Sequence, residues 1–129
     1  MKTIIAGSRS LNKIEHVIEA VRLSNFNITE VISGEAVGID SQGKNWAFIH
    51  DIPVKSFPAE WDVYGKRAGY IRNDEMAKYG EALILVWDGI SKGSKHMLDL
   101  AKKYNLEICV LIIKKDGSNE CISFTGYKK

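Results

Sequence analysis

Leu83-Ile84-Leu85-Val86-Trp87-Asp88-Gly89-Ile90-Ser91-Lys92-Gly93-Ser94 is an apolar run that stops abruptly in a small, polar, glycine-punctuated loop. Beyond it, Met97, Leu98, Leu100, Ala101 and Tyr104 fall on one face of a helix. The stretch therefore reads as a buried strand delivering a loop to a helix N-terminus. In α/β proteins such junctions hold anions, because free backbone N–H groups and the positive end of the helix dipole converge there.

Three more junctions of this kind lie around it. Upstream, Thr3-Ile4-Ile5-Ala6 is a short apolar strand running into Gly7-Ser8-Arg9-Ser10, followed by a helix with Ile14, Val17, Ile18 and Val21 at i, i+3, i+4, i+7, which Ser10 or Asn12 is placed to cap. Glu30-Val31-Ile32-Ser33 is a second strand, ending in Gly34-Glu35-Ala36-Val37-Gly38-Ile39-Asp40 before a helix over 41–50 that carries Trp46 as a core residue. Asp40 stands where a first-turn acid or cap belongs. The third strand, Val54-Lys55-Ser56-Phe57, lies between Pro53 and Pro58, which suits a sheet edge. An irregular segment over 59–69 follows, then a helix over 68–79 that holds Arg72-Asn73 in its early turns and ends at Gly80. Downstream, Ile108-Cys109-Val110-Leu111-Ile112-Ile113 is a fifth strand. Continuous apolar runs of this sort belong to parallel strands buried on both faces.

Five strands alternating with four helices predict an α/β fold with an open, doubly wound, mostly parallel sheet of order 3-2-1-4-5 and helices on both faces. In that order the loops 7–10 and 87–94 face each other across the crevice where strand order reverses. Residues 114–129 read as a C-terminal appendage, with Cys121-Ile122-Ser123-Phe124 as a short extra strand at most.

Bulk composition narrows the function classes. A chain of 129 residues with 45% hydrophobic content suits one domain. Eighteen basic against sixteen acidic side chains, a net charge of +2, give no electrostatic case for a dedicated nucleic-acid or membrane-surface binder. No apolar run approaches the ~20 residues of a membrane span. Two distant cysteines, Cys109 and Cys121, with no C-x-x-C spacing and no signal-peptide pattern, lead us to expect a reduced, cytoplasmic protein.

Gly34 with Gly38, Gly65 with Gly69 and Gly89 with Gly93 are three glycine pairs of equal spacing, each beside a junction. Glycines serve tight turns, and they also let a ligand approach the backbone; three pairs converging on one sheet edge favour the second use. None forms G-x-G-x-x-G, and in Gly89–Lys95 the lysine follows the hydroxyl residue, so this is no ATPase loop. Arg9 and Arg72 are the cations best placed to reach the crevice, where a guanidinium fork matches a phosphate; surface ion pairs are their ordinary alternative. Asp88 suits a ribose hydroxyl or general acid/base work, or else a plain turn. Trp61, Tyr64 and Trp87 are available to stack on a base. His16, His50 and His96 are scattered one per helix, which predicts solvated side chains and no metal site, and no nucleophilic triad is present.

As a set, Gly7-Ser8-Arg9, Ser33-Gly34-x-Ala36-x-Gly38-Ile39-Asp40, Arg72-Asn73 and Ser91-x-Gly93-Ser94 resemble the SLOG superfamily, which includes the DprA DNA-processing proteins and the LOG phosphoribohydrolases. Trp87-Asp88-Gly89, Ala59-x-Trp61 and Gly65-x-x-Ala68-Gly69 look most like its YspA/YpsA-related branch. The resemblance spans residues 2–113. It implies a single-domain, Rossmann-like three-layer sandwich over 1–113, often a homodimer, binding a nucleotide-derived small molecule with no resident cofactor. The implied ligand-binding positions are Gly7, Ser8, Arg9, Ser33, Gly34, Gly38, Asp40, Trp61, Arg72, Asn73, Trp87, Asp88, Gly89, Ser91, Gly93 and Ser94.

LOG enzymes cleave the N-glycosidic bond of nucleoside monophosphates with a helix arginine and a glutamate, and Met97 stands where that glutamate would fall. An oxocarbenium-like transition state needs a carboxylate nearby. Asp88 and Glu35 are the candidates to replace it. The leading expectation is a module that senses or sequesters a nucleotide derivative. A nucleoside 5′-monophosphate phosphoribohydrolase is the alternative. DprA-like single-stranded DNA binding ranks third, because the chain has neither flanking domains nor a basic excess.

Overall fold

A computed structural model describes residues 1–124. Its elements alternate: β1 (Lys2–Gly7), α1 (Ile14–Ser24), β2 (Glu30–Ser33), α2 (Ile39–Ile49), β3 (Val54–Ser56), α3 (Trp61–Tyr64), α4 (Ala68–Tyr79), β4 (Ala82–Trp87), α5 (Lys92–Lys103), β5 (Glu107–Ile113) and β6 (Asn119–Phe124). A 3-10 turn, Gly65–Arg67, joins α3 to α4.

The sheet has the order β3-β2-β1-β4-β5-β6. The first five strands run parallel, and β6 pairs antiparallel with β5, Leu111 opposite Cys121. The sheet is therefore six-stranded and mixed, not the five-stranded, mostly parallel one expected. The turn at 114–118, closed by the Lys114 N–H on the Ser118 carbonyl at 2.8 Å, returns the chain along β5. The supposed appendage thus contributes an edge strand, and its end, 125–129, lies outside the described residues. Across this edge the free thiols of Cys109 and Cys121 come within 3.8 Å.

Side-chain alternation explains why the central strands read as unbroken apolar runs. Ile4, Leu83, Leu85, Ile108 and Val110 point to one face, where they pack with Met76 and Ala77 of α4 and Met97, Leu98 and Ala101 of α5. Ile5, Ile84, Val86 and Leu111 point to the other, against Val17 and Ala20 of α1 and Ile39, Trp46 and Ala47 of α2. Both faces are covered, so these central positions are apolar, and each fully buried Leu or Ile contributes about 1.5 to 3 kcal/mol of transfer free energy. Among the described residues no helix is long and apolar enough to cross a membrane.

Two local expectations need correction. Neither Ser10 nor Asn12 caps α1: its N-cap is Lys13, with no side-chain cap, because Asn12 is engaged by Gln42 at 2.9 Å and Ser10 turns toward Asp88. The segment over 59–69 is not irregular throughout. Glu60 accepts the Val63 and Tyr64 N–H groups at 3.0 Å and starts the single turn of α3, too short to leave a periodic signal.

Candidate ligand-binding crevice

The loops after β1, β2 and β4, the middle of α4 and the first half of α5 enclose a hollow of about 350 Å³ at the C-terminal edge of the parallel strands. This is the lower end of the usual range for small-molecule sites, ~300–1,000 Å³. Ala6, Met76 and Met97 form an apolar floor. A smaller hollow of about 140 Å³, lined by Gly34, Glu35, Pro58, Ala59 and Trp61, adjoins it, and Arg9, Ala36 and Arg72 line both.

Two glycines allow the loops to meet. Gly7 lies so close to the Val86 carbonyl that a Cβ would overlap it, which lets β1 and β4 keep their pairing to the end. Gly38, the N-cap of α2, has φ +80° and ψ −129°, and its Cα faces the backbone of Ser8 and Arg9. That conformation is essentially reserved for glycine.

Hydroxyls tie the opposing walls together. Ser8 Oγ accepts the Asp88 N–H at 3.0 Å and lies 3.0 Å from Ser91 Oγ, which donates to Ser94 Oγ at 3.0 Å. The chain of hydroxyls ends on Ser94 in the first turn of α5, where N–H groups have no partner within the helix. Gly93 and Ser94 present that turn to the hollow.

Arg72 reaches from α4 across the mouth. Its guanidinium donates to the Gly34 carbonyl and, through Nε, to Asn73 Oδ1 at 2.9 Å. Burial works to lower its pKa, the nearby Asp40 raises it, and the like charge of Arg9 lowers it again, so both guanidiniums share one field. Asn73 is buried and offers Nδ2 to His96 Nδ1 at 3.2 Å. His96 is thus no solvated helix histidine. Burial holds its pKa below the usual value, leaving a neutral ring that accepts from Asn73.

Asp40 is 5% exposed and lines the larger hollow. Burial pushes its carboxyl up to about 6, against the opposing pull of the Ala36 N–H, Arg72, the Gly7 N–H and Arg9. A carboxyl raised in the fold from 3.8 to about 6 binds a proton there that the unfolded chain has already lost. Its stabilising protonation is complete below pH 3.8 and is lost as pH rises through 6. We expect wild-type stability to fall by on the order of 3 kcal/mol from this group between pH 4 and pH 8, and Asp40→Asn to abolish that slope. Urea unfolding at half-unit pH steps checks it; an unchanged slope in the variant contradicts the assignment.

The other carboxylates proposed from sequence have different surroundings. Asp88 lines the hollow, but its Oδ1 accepts the N–H groups of Ile90 at 2.8 Å and Ser91 at 2.9 Å. Burial works to raise its pKa, and those N–H groups with the Ser8 and Ser91 hydroxyls outweigh it, so it stays ionised as the brace of its own turn. Glu35 has φ +64° and faces the smaller hollow, where Lys44 at 2.8 Å and the Ser56 hydroxyl hold its carboxylate and lower its pKa.

Of the remaining positions, Ser33, Gly38, Trp87 and Gly89 line neither hollow. Ser33 Oγ accepts the Glu35 N–H at 3.2 Å. Trp87 packs beside the α4/α5 core and donates its indole N–H to the Ser91 carbonyl at 3.1 Å, so it braces the loop. Gly89 turns the loop at φ +82°. Trp61 is half exposed over the smaller hollow, while Tyr64, also exposed, lines neither. Among the described residues no group of three or more His, Cys, Asp or Glu side chains is placed to hold a metal ion.

No protein-family model matches the chain, and no solved structure matches it. The Gene 61 protein of Mycobacterium phage D29 is 30% identical over 84 residues, which cover 60% of this chain and 67% of the phage protein. The chain belongs to the Gene 61 protein family. In this Gene 61 family member the crevice brings two guanidiniums, an open helix start and a buried, titrating carboxyl to one place. That set can hold an anion and carry a proton beside it.

Proposed function

We propose that the crevice binds a nucleotide or nucleotide-derived ligand, sensing or sequestering it. The observation that carries this reading is the convergence of Arg9 and Arg72 on a hollow that also receives the first turn of α5 through Gly93 and Ser94. Guanidinium forks and free N–H groups match phosphate oxygens, each charge-assisted hydrogen bond being worth about 1.5 to 3 kcal/mol. The apolar floor of Met76 and Met97 suits the flat face of a base. The resemblance to the SLOG superfamily supports the same ligand class.

A second reading, N-glycosidic hydrolysis of a nucleoside monophosphate, is favoured by Asp40 alone. A cavity carboxyl that holds its proton up to about pH 6 has the character of a general acid. Met97 lies in the same cavity and brings no carboxylate to flank the anomeric carbon.

Calorimetric titration with nucleoside monophosphates, followed by chromatography of the same mixtures for free base, separates the two. Saturable binding with no base released is the expected result. Base released by wild type and not by Asp40→Asn would establish the hydrolase instead, and no heat from any nucleotide would refute both.

A further inference from the structure

The two hollows differ in what surrounds them, and the difference says where on a ligand the charge must lie. Both guanidiniums, of Arg9 and Arg72, line both hollows and so stand at the seam. Away from the seam each hollow carries its own carboxylate: Asp88, held ionised in the larger, and Glu35, held ionised in the smaller. A phosphate driven deep into the larger hollow meets the Asp88 carboxylate, and one deep in the smaller meets Glu35 already paired with Lys44, whereas one at the seam meets two cations against the single carboxyl of Asp40.

Beyond the seam both hollows offer apolar surface. The larger is floored by Met76 and Met97; the smaller is walled by Pro58, Ala59 and the half-exposed Trp61, whose ring lies over Gly69 of α4. Glu35 at the wall of the smaller hollow can accept from a hydroxyl. From this arrangement we infer that the ligand is a pyrophosphate-bridged nucleotide, of the nucleoside diphosphate-sugar class, with its charge in the middle and an uncharged group in each hollow. The inference rests on the nucleotide-binding reading and narrows it. A mononucleotide would fill the larger hollow and leave Trp61 and the smaller one unused.

Calorimetry distinguishes the two outcomes. The 5′-monophosphates of adenosine, guanosine, uridine and cytidine are titrated beside a diphosphate sugar of each, into wild type and into Trp61→Ala. Thermal melting confirms that the variant, altered at an exposed position, stays folded. For the preferred base we expect the bridged compound to bind about tenfold more tightly than the monophosphate, within the range one aromatic contact supplies. Trp61→Ala should narrow that gap to less than threefold. A monophosphate that binds as tightly as its bridged derivative, or a gap that survives in Trp61→Ala, overturns the inference and leaves nucleotide binding standing. If no compound of either series binds, nucleotide binding fails with it.

Discussion

Arg72→Ala is expected to weaken nucleotide binding by a hundredfold or more while leaving the protein folded. The guanidinium is half-buried at the mouth of the crevice, fixed by the Gly34 carbonyl and Asn73, so its free N–H groups are aimed before the ligand arrives. Two charge-assisted bonds to phosphate at about 1.5 to 3 kcal/mol each amount to at least two decades in Kd. The fold should lose less, because the side chain only bridges loop and helix at the surface of the core. Arg72→Lys keeps the charge but not the fork, and should recover less than tenfold of the loss. Calorimetry gives the affinities and thermal melting the fold. Wild-type affinity in Arg72→Ala would remove this side chain from the site.

Gly38→Ala is expected to cost about 3 kcal/mol or more of stability. Two independent penalties add. At φ +80° and ψ −129° a residue with a Cβ is strained by about 1 to 3 kcal/mol. The new Cβ would also stand 2.6 Å from the Ser8 carbonyl oxygen and 2.7 Å from the Arg9 Cα and carbonyl oxygen, all backbone atoms that can yield only by moving the β1 loop. Against a typical total of about 5 to 15 kcal/mol this is a large share. Urea unfolding should show a lower midpoint with an unchanged slope. A loss under 1 kcal/mol would mean that the two loops do not meet as described.

The fold was legible where one physical cause acted alone. The strands at Ile4-Ile5 and Leu83–Val86 are flanked on both faces by helices, so burial forces unbroken apolar runs, and their order within the sheet follows from right-handed crossovers. The strand β6 escaped because it is an edge: Cys121 and Ser123 are exposed, and Ile122 packs only partly against the core. A short strand opening on Asn119 and Glu120, with Ser123 between Ile122 and Phe124, leaves only a weak pattern.

The candidate site was legible as loops, not as side-chain directions. Gly7 to Arg9 and Ser91 to Ser94 sit at the ends of elements and Arg72 and Asn73 within α4, and their places followed from the topology. What Trp87 and Glu35 do depends on groups far off or newly brought near: the indole finds the Ser91 carbonyl, and the carboxylate finds Lys44 and Ser56. Asp40 reads in sequence as a first-turn acid. Its pKa of about 6 is a consequence of burial that arises only when the β1, β2 and α4 residues close around it.

Titration of the 15N-labelled protein with a nucleotide, followed by two-dimensional NMR, tests the binding crevice most directly. The expected result is a saturable set of amide shifts at residues 7–10, 34–40, 72–73 and 88–94, with the outer faces of α1 and β6 unmoved. Spectra unchanged through millimolar nucleotide, or shifts confined to those outer faces, would contradict it.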